Sequence, residues 1–166
     1  DVRTIELAKI AGYLHDIGNL FNRRHHSQSG AVMAWSILND MGCDPAEMAT
    51  IVTAIGNHDE GTGVPVNAVA AAMILADKAD VRRSRGRNQD ISTFDIHDRV
   101  NYAVTGSSLK VEAVDKRSSL NLQVDESICT MYEDFDIFLG RMMMCREAAQ
   151  MLGAKFRLTV NGGKVL

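Results

Sequence analysis

The chain has 166 residues, 46% of them hydrophobic and 23% charged, with a formal net charge of −3. That is enough for one substantial core, or for a core with a small appendage. The balance gives no general reason to expect a nucleic-acid polymer as partner, which calls for a basic surplus gathered on one face. There is no apolar run of about eighteen residues and no basic stretch leading into an apolar one, so neither a membrane span nor a signal peptide is predicted. Cys43, Cys129 and Cys145 form no CxxC pair and fit a reduced cytoplasmic protein in which they serve as small buried hydrophobes. The chain starts at Asp1 rather than Met, and a preceding segment is expected.

Leu7, Ile10, Ala11 and Leu14 recur at i, i+3, i+4 and i+7, which predicts a first helix, capped by Asp1 and running to about His15. His15 lies four residues after Ala11 and stays near the stripe; Asp16 follows directly. Gly18, Asn19 and Asn22 mark a loop. A second helix follows His26, with Ala31, Ala34, Trp35 and Leu38 on one stripe, and ends near Gly42. Asp44, Pro45 and Glu47 form an N-terminal helix signature: a capping carboxylate, proline at the first position and Glu at the third. The third helix carries Met48, Ile51, Val52 and Ile55, and His58 continues that stripe inward.

The segment from Glu60 to Pro65 reads as a loop, and Asn67 can cap a fourth helix that continues past Asp77 into Arg83. Its stripe is Ala70, Met73, Ile74 and Asp77, so a carboxylate occupies a core-facing position where burial without a partner costs several kcal/mol. A cation would resolve that cost. Adjacent His and Asp, with further His and Asp from other segments, are what a hydrolytic metal site needs.

After about residue 105 the period changes to two. Leu109, Val111 and Ala113, then Leu120, Leu122 and Val124, alternate with polar residues, and Asp115 to Ser118 can turn one strand into the next. Phe135, Phe138, Leu139 and Met142 predict a covering helix that Gly153 can end. Phe156, Leu158 and Val160 form a last strand before the Asn161-Gly162-Gly163 turn. The expectation is a mainly α protein: a helical bundle over residues 1–104 with a C-terminal β-β-α-β (α+β) appendage over 105–166. The exposed hairpin edge could pair with another copy, giving a homo-oligomer.

Four ordered segments, LHDIGN at 14–19, HSQSG at 26–30, NHDEGTG at 57–63 and LADKAD at 75–80, resemble the HD-domain metal-dependent phosphohydrolases, an all-helical superfamily named for its His-Asp pair. The likeness covers the first half to two thirds of the chain, and the whole chain looks most like small bacterial HD proteins. The resemblance implies that His15, Asp16 and Asp77 are core metal ligands and that His26 and His58 are the added histidines of members holding two metals. It therefore implies a binuclear site for iron, manganese or another first-row ion, with Asp16 bridging and a small phosphoester substrate attacked by activated water. The family pattern opens with a further upstream His, expected in the preceding segment. Asn19 stands where a lysine often follows HDIG. Asn57-His58 replaces the paired histidines of cyclic-dinucleotide phosphodiesterases, whose GYP signature is also absent, so a generic phosphoester activity ranks above that one.

Lys78 and Arg82, with Arg83, Arg85 and Arg87 after them, are candidate phosphate contacts, although a solvated basic face explains them as well. Asp59 and Glu60 could assist proton transfer or simply form a polar loop. His25, beside His26, competes with it for the ligand role. The second pair, His97-Asp98, has no accompanying His and reads as structural, and Met142 to Met144 read as core. The alternative to an enzyme is a non-catalytic HD module with a regulatory or protein-binding role. Iron redox chemistry on the same ligands is a third reading.

Overall fold

The structure is a computed structural model that describes residues 1–81, 83, 96–128 and 131–166. The chain divides into two compact units, Asp1–Asp77 and Lys78–Leu166.

The first unit is helical. Helix α1 spans Val2–Leu14, and the Asp1 side chain accepts a hydrogen bond of 2.8 Å from Thr4 N. A 3-10 turn, Ile17–Leu20, follows, then α2 at His26–Asp40 and α3 at Pro45–Gly56. Asp44 caps α3 through Ala46 N at 2.9 Å and Glu47 N at 3.2 Å, with Pro45 in the first turn as its fixed φ favours. Glu47 also forms a two-pronged pair with Arg3 of α1. Asn67 caps α4, Ala68–Ala79, through Ala70 N at 2.8 Å. The core joins Leu7, Ala11, Ala34, Leu38, Ile51, Ala54, Ile55, Val69, Ala70 and Met73. Each large aliphatic among them contributes about 2 kcal/mol by leaving water.

Two expectations fail in this unit. Trp35 is half exposed at 51%, because α2 buries the narrow line Gly30, Ala34 and Leu38 and its flank faces solvent. Helix α4 ends at Ala79 rather than continuing to Arg83, with the Val81 N–H turning back to the Ala79 carbonyl.

The second unit is α+β. Helix α5, Ile96–Ala103, leads directly into β1, Val104–Glu112, which pairs antiparallel with β2, Arg117–Val124. Helix α6, Met131–Met151, then crosses to β3, Lys155–Val160, which lies parallel to β2. Parallel neighbours require such a crossover, and a helix is its usual form. A two-residue strand that the alternation did not reveal, β4 at Gly163–Lys164, closes the sheet in the order β1-β2-β3-β4. Asn161 and Gly162 make its turn with φ of 48° and 81°, as a type I′ hairpin requires.

Leu120, Leu122 and Val124 of β2 pack with Leu158, Phe138 and Met142. Val111 and Leu139, expected in that face, are 63% and 48% exposed. The hairpin turn occupies residues 113–116, with Lys116 at φ 47°, so the apolar face of β1 ends before Val111. The division falls at Asp77/Lys78 rather than at 104/105, since Ala79, Val81, Val100, Ala103 and Val104 join the sheet core. Cys43 is half-buried and Cys145 buried, as expected of small hydrophobes; Cys129 lies outside the described residues. Among the described residues no helix is long and apolar enough to cross a membrane.

Candidate metal centre

In the first unit every apolar stripe runs into a polar residue at a helix end. His15 follows Leu7 and Ala11 on α1, His58 follows Ile51, Ala54 and Ile55 on α3, and Asp77 follows Ala70 and Met73 near the end of α4. On α2 the order is reversed: His26 opens the line that Gly30, Ala34 and Leu38 continue. A stripe that packs in the core at one end delivers its polar end to the same interior. The four helix ends, with Asp16 from the turn after α1, meet in one cluster.

His58 is 1% exposed and His26 4%, while the Asp16 side chain keeps 39% of its surface and so borders solvent. From Asp16 Oδ1 the distances are 3.3 Å to His26 Nε2 and 3.8 Å to His58 Nε2. Asp16 Oδ2 lies 3.8 Å from His15 Nε2, and Asp77 Oδ1 lies 3.6 Å from the same nitrogen. The two oxygens of Asp16 thus address different histidines.

All three rings are tethered in the same way. Nδ1 of His15 meets the Gly12 carbonyl at 2.7 Å, that of His26 the Arg23 carbonyl at 2.9 Å, and that of His58 the Ile55 carbonyl at 2.6 Å. A carbonyl oxygen only accepts, so each Nδ1 carries the proton and donates it, and in the neutral ring Nε2 is left with a lone pair. His26 Nε2 and His58 Nε2 lie 3.1 Å apart. Two neutral rings tethered in this way face lone pair to lone pair, an arrangement that only a cation or a proton between them makes favourable. His15 Nε2 is buried with no hydrogen-bond partner. One orphaned imidazole nitrogen and two more that face each other, all beside carboxylates, fit a metal ion, and a backbone carbonyl on the far nitrogen is the usual support for a ligating histidine.

The residues form two overlapping groups of ligand atoms, each within 4.8 Å: His15, His58 and Asp77, and Asp16, His26 and His58. Without an ion the charges respond to one another. The Asp16 carboxyl is held far below the usual carboxylate range, by the His58 ring foremost and then by His15 and His26, against the opposing effect of burial. His15 is raised above the ordinary imidazole value, chiefly by the Asp77 carboxylate, again against burial.

His15, Asp16, His26, His58 and Asp77 are therefore brought together. His25 is exposed and caps α2 in the left-handed region at φ 60°, an uncommon conformation for a residue with a Cβ, and its neighbour His26 is the one turned inward. Lys78 is buried on α4 and already engaged in interactions. Arg82, Arg85 and Arg87 lie outside the described residues, as do the side chains of His97, Asp98 and Phe135. Arg83, one of the residues expected to meet phosphate, is committed within the second unit: it donates to the Tyr102 carbonyl at 2.6 Å, stacks 4.3 Å above the Tyr102 ring and approaches Asp125 at 3.6 Å. Asp59 is half-buried and Glu60 exposed, in the turn after His58.

Gly18 was legible only as a loop marker, yet it sets the geometry. A Cβ there would fall 2.0 Å from the His26 carbonyl oxygen and 2.6 Å from Gly30 N. The 3-10 turn thus lies directly against the first turn of α2, which brings Asp16 face to face with His26. The paired small residues Gly18 and Gly30, each beside a candidate ligand segment, were the available signal. No protein-family model matches the chain, and no curated protein or solved structure matches it, so the case for an ion site stands on this geometry.

Proposed function

We propose that the protein is a metal-dependent phosphohydrolase of the HD type, acting on a phosphomonoester or phosphodiester of nucleotide-like character. His15, Asp16, His26, His58 and Asp77 would hold two divalent ions, iron, manganese or another first-row metal. The observation that carries this reading is the tethering of three imidazoles to backbone carbonyls with their free nitrogens turned toward two carboxylates. Ions bound there would supply Lewis acidity to phosphoryl oxygens and acidify water to near neutrality.

The rest is the work of the chain's own groups. Asp16 is the catalytic residue of this proposal: one of its oxygens faces His26 and His58 and the other faces His15, so it would help to hold both ions. Its partial exposure leaves an approach for substrate from solvent. The tethers fix the rings, so the site is organised before substrate arrives.

Metal content of the full chain by mass spectrometry, with hydrolysis of 4-nitrophenyl phosphate and bis(4-nitrophenyl) phosphate, tests this. About two ions per chain are expected, with both ion content and turnover falling in His15→Ala and Asp77→Ala. Turnover that survives exhaustive chelation, or ion content unchanged in both variants, would overturn the proposal.

A further inference from the structure

Strand β2 buries Ser118, Leu120, Leu122 and Val124 and turns the residues between them, Arg117, Ser119, Asn121 and Gln123, to the opposite face of the sheet. Cross-strand partners share a face, so the register carries this side across all four strands. Glu112 and Lys155 flank Arg117, Lys110 and Arg157 flank Ser119, and Ser108 and Thr159 flank Asn121, with Lys164 beyond Thr159. Helix α6 packs on the other side through Phe138 and Met142. On this side Lys110, Asn121, Gln123, Lys155, Arg157 and Lys164 are exposed.

The strand positions of this face hold five basic residues, Lys110, Arg117, Lys155, Arg157 and Lys164, and one acid, Glu112. Lys110 meets Glu112 at 2.7 Å and Arg117 approaches it at 3.8 Å. The adjoining turn adds one charge of each sign, Asp115 and Lys116. The net charge of −3 for the whole chain therefore averages over a sheet face with a surplus of positive charge. Such a surplus gathered on one face is the electrostatic footprint of a polyanion site.

We propose that this open sheet face binds double-stranded RNA through its phosphates and 2′-hydroxyls, without reading its sequence. Lysine and arginine interspersed with serine, threonine, asparagine and glutamine are the side chains that meet phosphate and sugar oxygens. From Gly106 to Lys164 these strand positions carry no aromatic residue, so the face lacks the stacking platform that unpaired bases use. They carry no large apolar side chain either, which a membrane-surface site would insert. Three strand spacings make the face about 14 Å across before side chains are added. That exceeds the major groove of B-form DNA, at about 12 Å, and its minor groove, at about 6 Å. A-form RNA instead offers a wide, shallow minor groove lined by 2′-hydroxyls, on which a broad face bearing hydroxyls and amides can lie. Nothing in this depends on the ion site.

Fluorescence anisotropy of the full chain tests it across a salt series, with a labelled RNA duplex of about 20 base pairs, the DNA duplex of the same sequence and the single-stranded RNA. The RNA duplex is expected to bind with a dissociation constant of about 10⁻⁴–10⁻⁶ M at physiological salt, more tightly than the other two and less tightly as salt rises. Lys155→Gln combined with Arg157→Gln should weaken binding about tenfold or more and lower the slope of log affinity against log salt by about two. Lys164→Gln alone should lower the slope by about one, and it decides the matter if circular dichroism shows the double variant unfolded. Lys9→Gln, an exposed lysine of α1, should change neither quantity. No binding at low salt, or duplex DNA or single-stranded RNA bound as tightly as the RNA duplex, would overturn the proposal. So would affinity unmoved by the sheet variants, or RNA displaced more readily by phosphatidylserine vesicles than by unlabelled duplex.

Discussion

The two units solve burial differently. In the second, the sheet core is built from apolar side chains: after the small buried Ser118, β2 buries Leu120, Leu122 and Val124 in succession, and α6 adds Phe138, Met142, Cys145, Ala148 and Ala149. In the first, four helices each begin or end an apolar line with a histidine or an aspartate, and those polar ends meet. A polar residue in the phase of a buried stripe costs stability unless it is satisfied. Four in one place mark where the first unit gives up apolar packing.

That contrast can be broken most directly by substitution in each interior. Leu120→Ala empties a fully buried position and should destabilise the second unit by about 3 kcal/mol while leaving ion content unchanged; residue-resolved hydrogen exchange and mass spectrometry read the two effects. If ions were lost as well, the division of labour would be wrong. Gly18→Ala drives a methyl into the His26 carbonyl and should cost about 2–3 kcal/mol, and here ion binding should fall with stability. Adding ion at about 100 times its dissociation constant should raise wild-type stability by about 2.7 kcal/mol, with slowed exchange confined to the first unit. Asn67→Ala removes the α4 cap for about 1 kcal/mol and should leave stoichiometry intact, because Asp77 lies at the far end of that helix.

A pH series sharpens the contrast further. His15 is raised above the ordinary imidazole value of 6.5 in the folded, metal-free chain, so its contribution is complete below that value and is lost as pH rises through the folded one. The Asp16 carboxyl is depressed from 3.8, so its contribution is present above that value and is lost as pH falls through the folded one. Metal-free stability from this cluster should therefore be greatest between about pH 4 and pH 6.5. Ion affinity should instead climb with pH, because protons and an ion compete for the same ligand atoms. Thermal melts across pH with and without ion check this, and a metal-free optimum above pH 8 would contradict it.

How much of this the sequence disclosed depends on the range of the cause. His15, His58 and Asp77 were legible because they keep the phase of stripes within a single helix. The caps at Asp1, Asp44 and Asn67 were legible for the same local reason. That His26 rather than His25 turns inward depends on a left-handed backbone at His25, which nothing in the residue type announces. The 3.1 Å approach of His26 to His58 joins residues 32 apart in sequence, and no periodicity reports such a pairing. Gly18 looked like any turn glycine because its reason is a carbonyl on another helix. The division at Asp77 was hidden inside α4, whose pattern runs unbroken while its last residues join a different core.

The tethers of the three rings have a kinetic meaning. Each imidazole is held by a carbonyl three residues earlier in its own segment, so its rotamer freedom is surrendered when the helices form and not when an ion arrives. If the proposed ions bind there, capture would require little search by the rings. On that proposal, the pace of ion entry should follow how quickly each cation sheds its own hydration water, so that metals rank by their solvent-exchange rates.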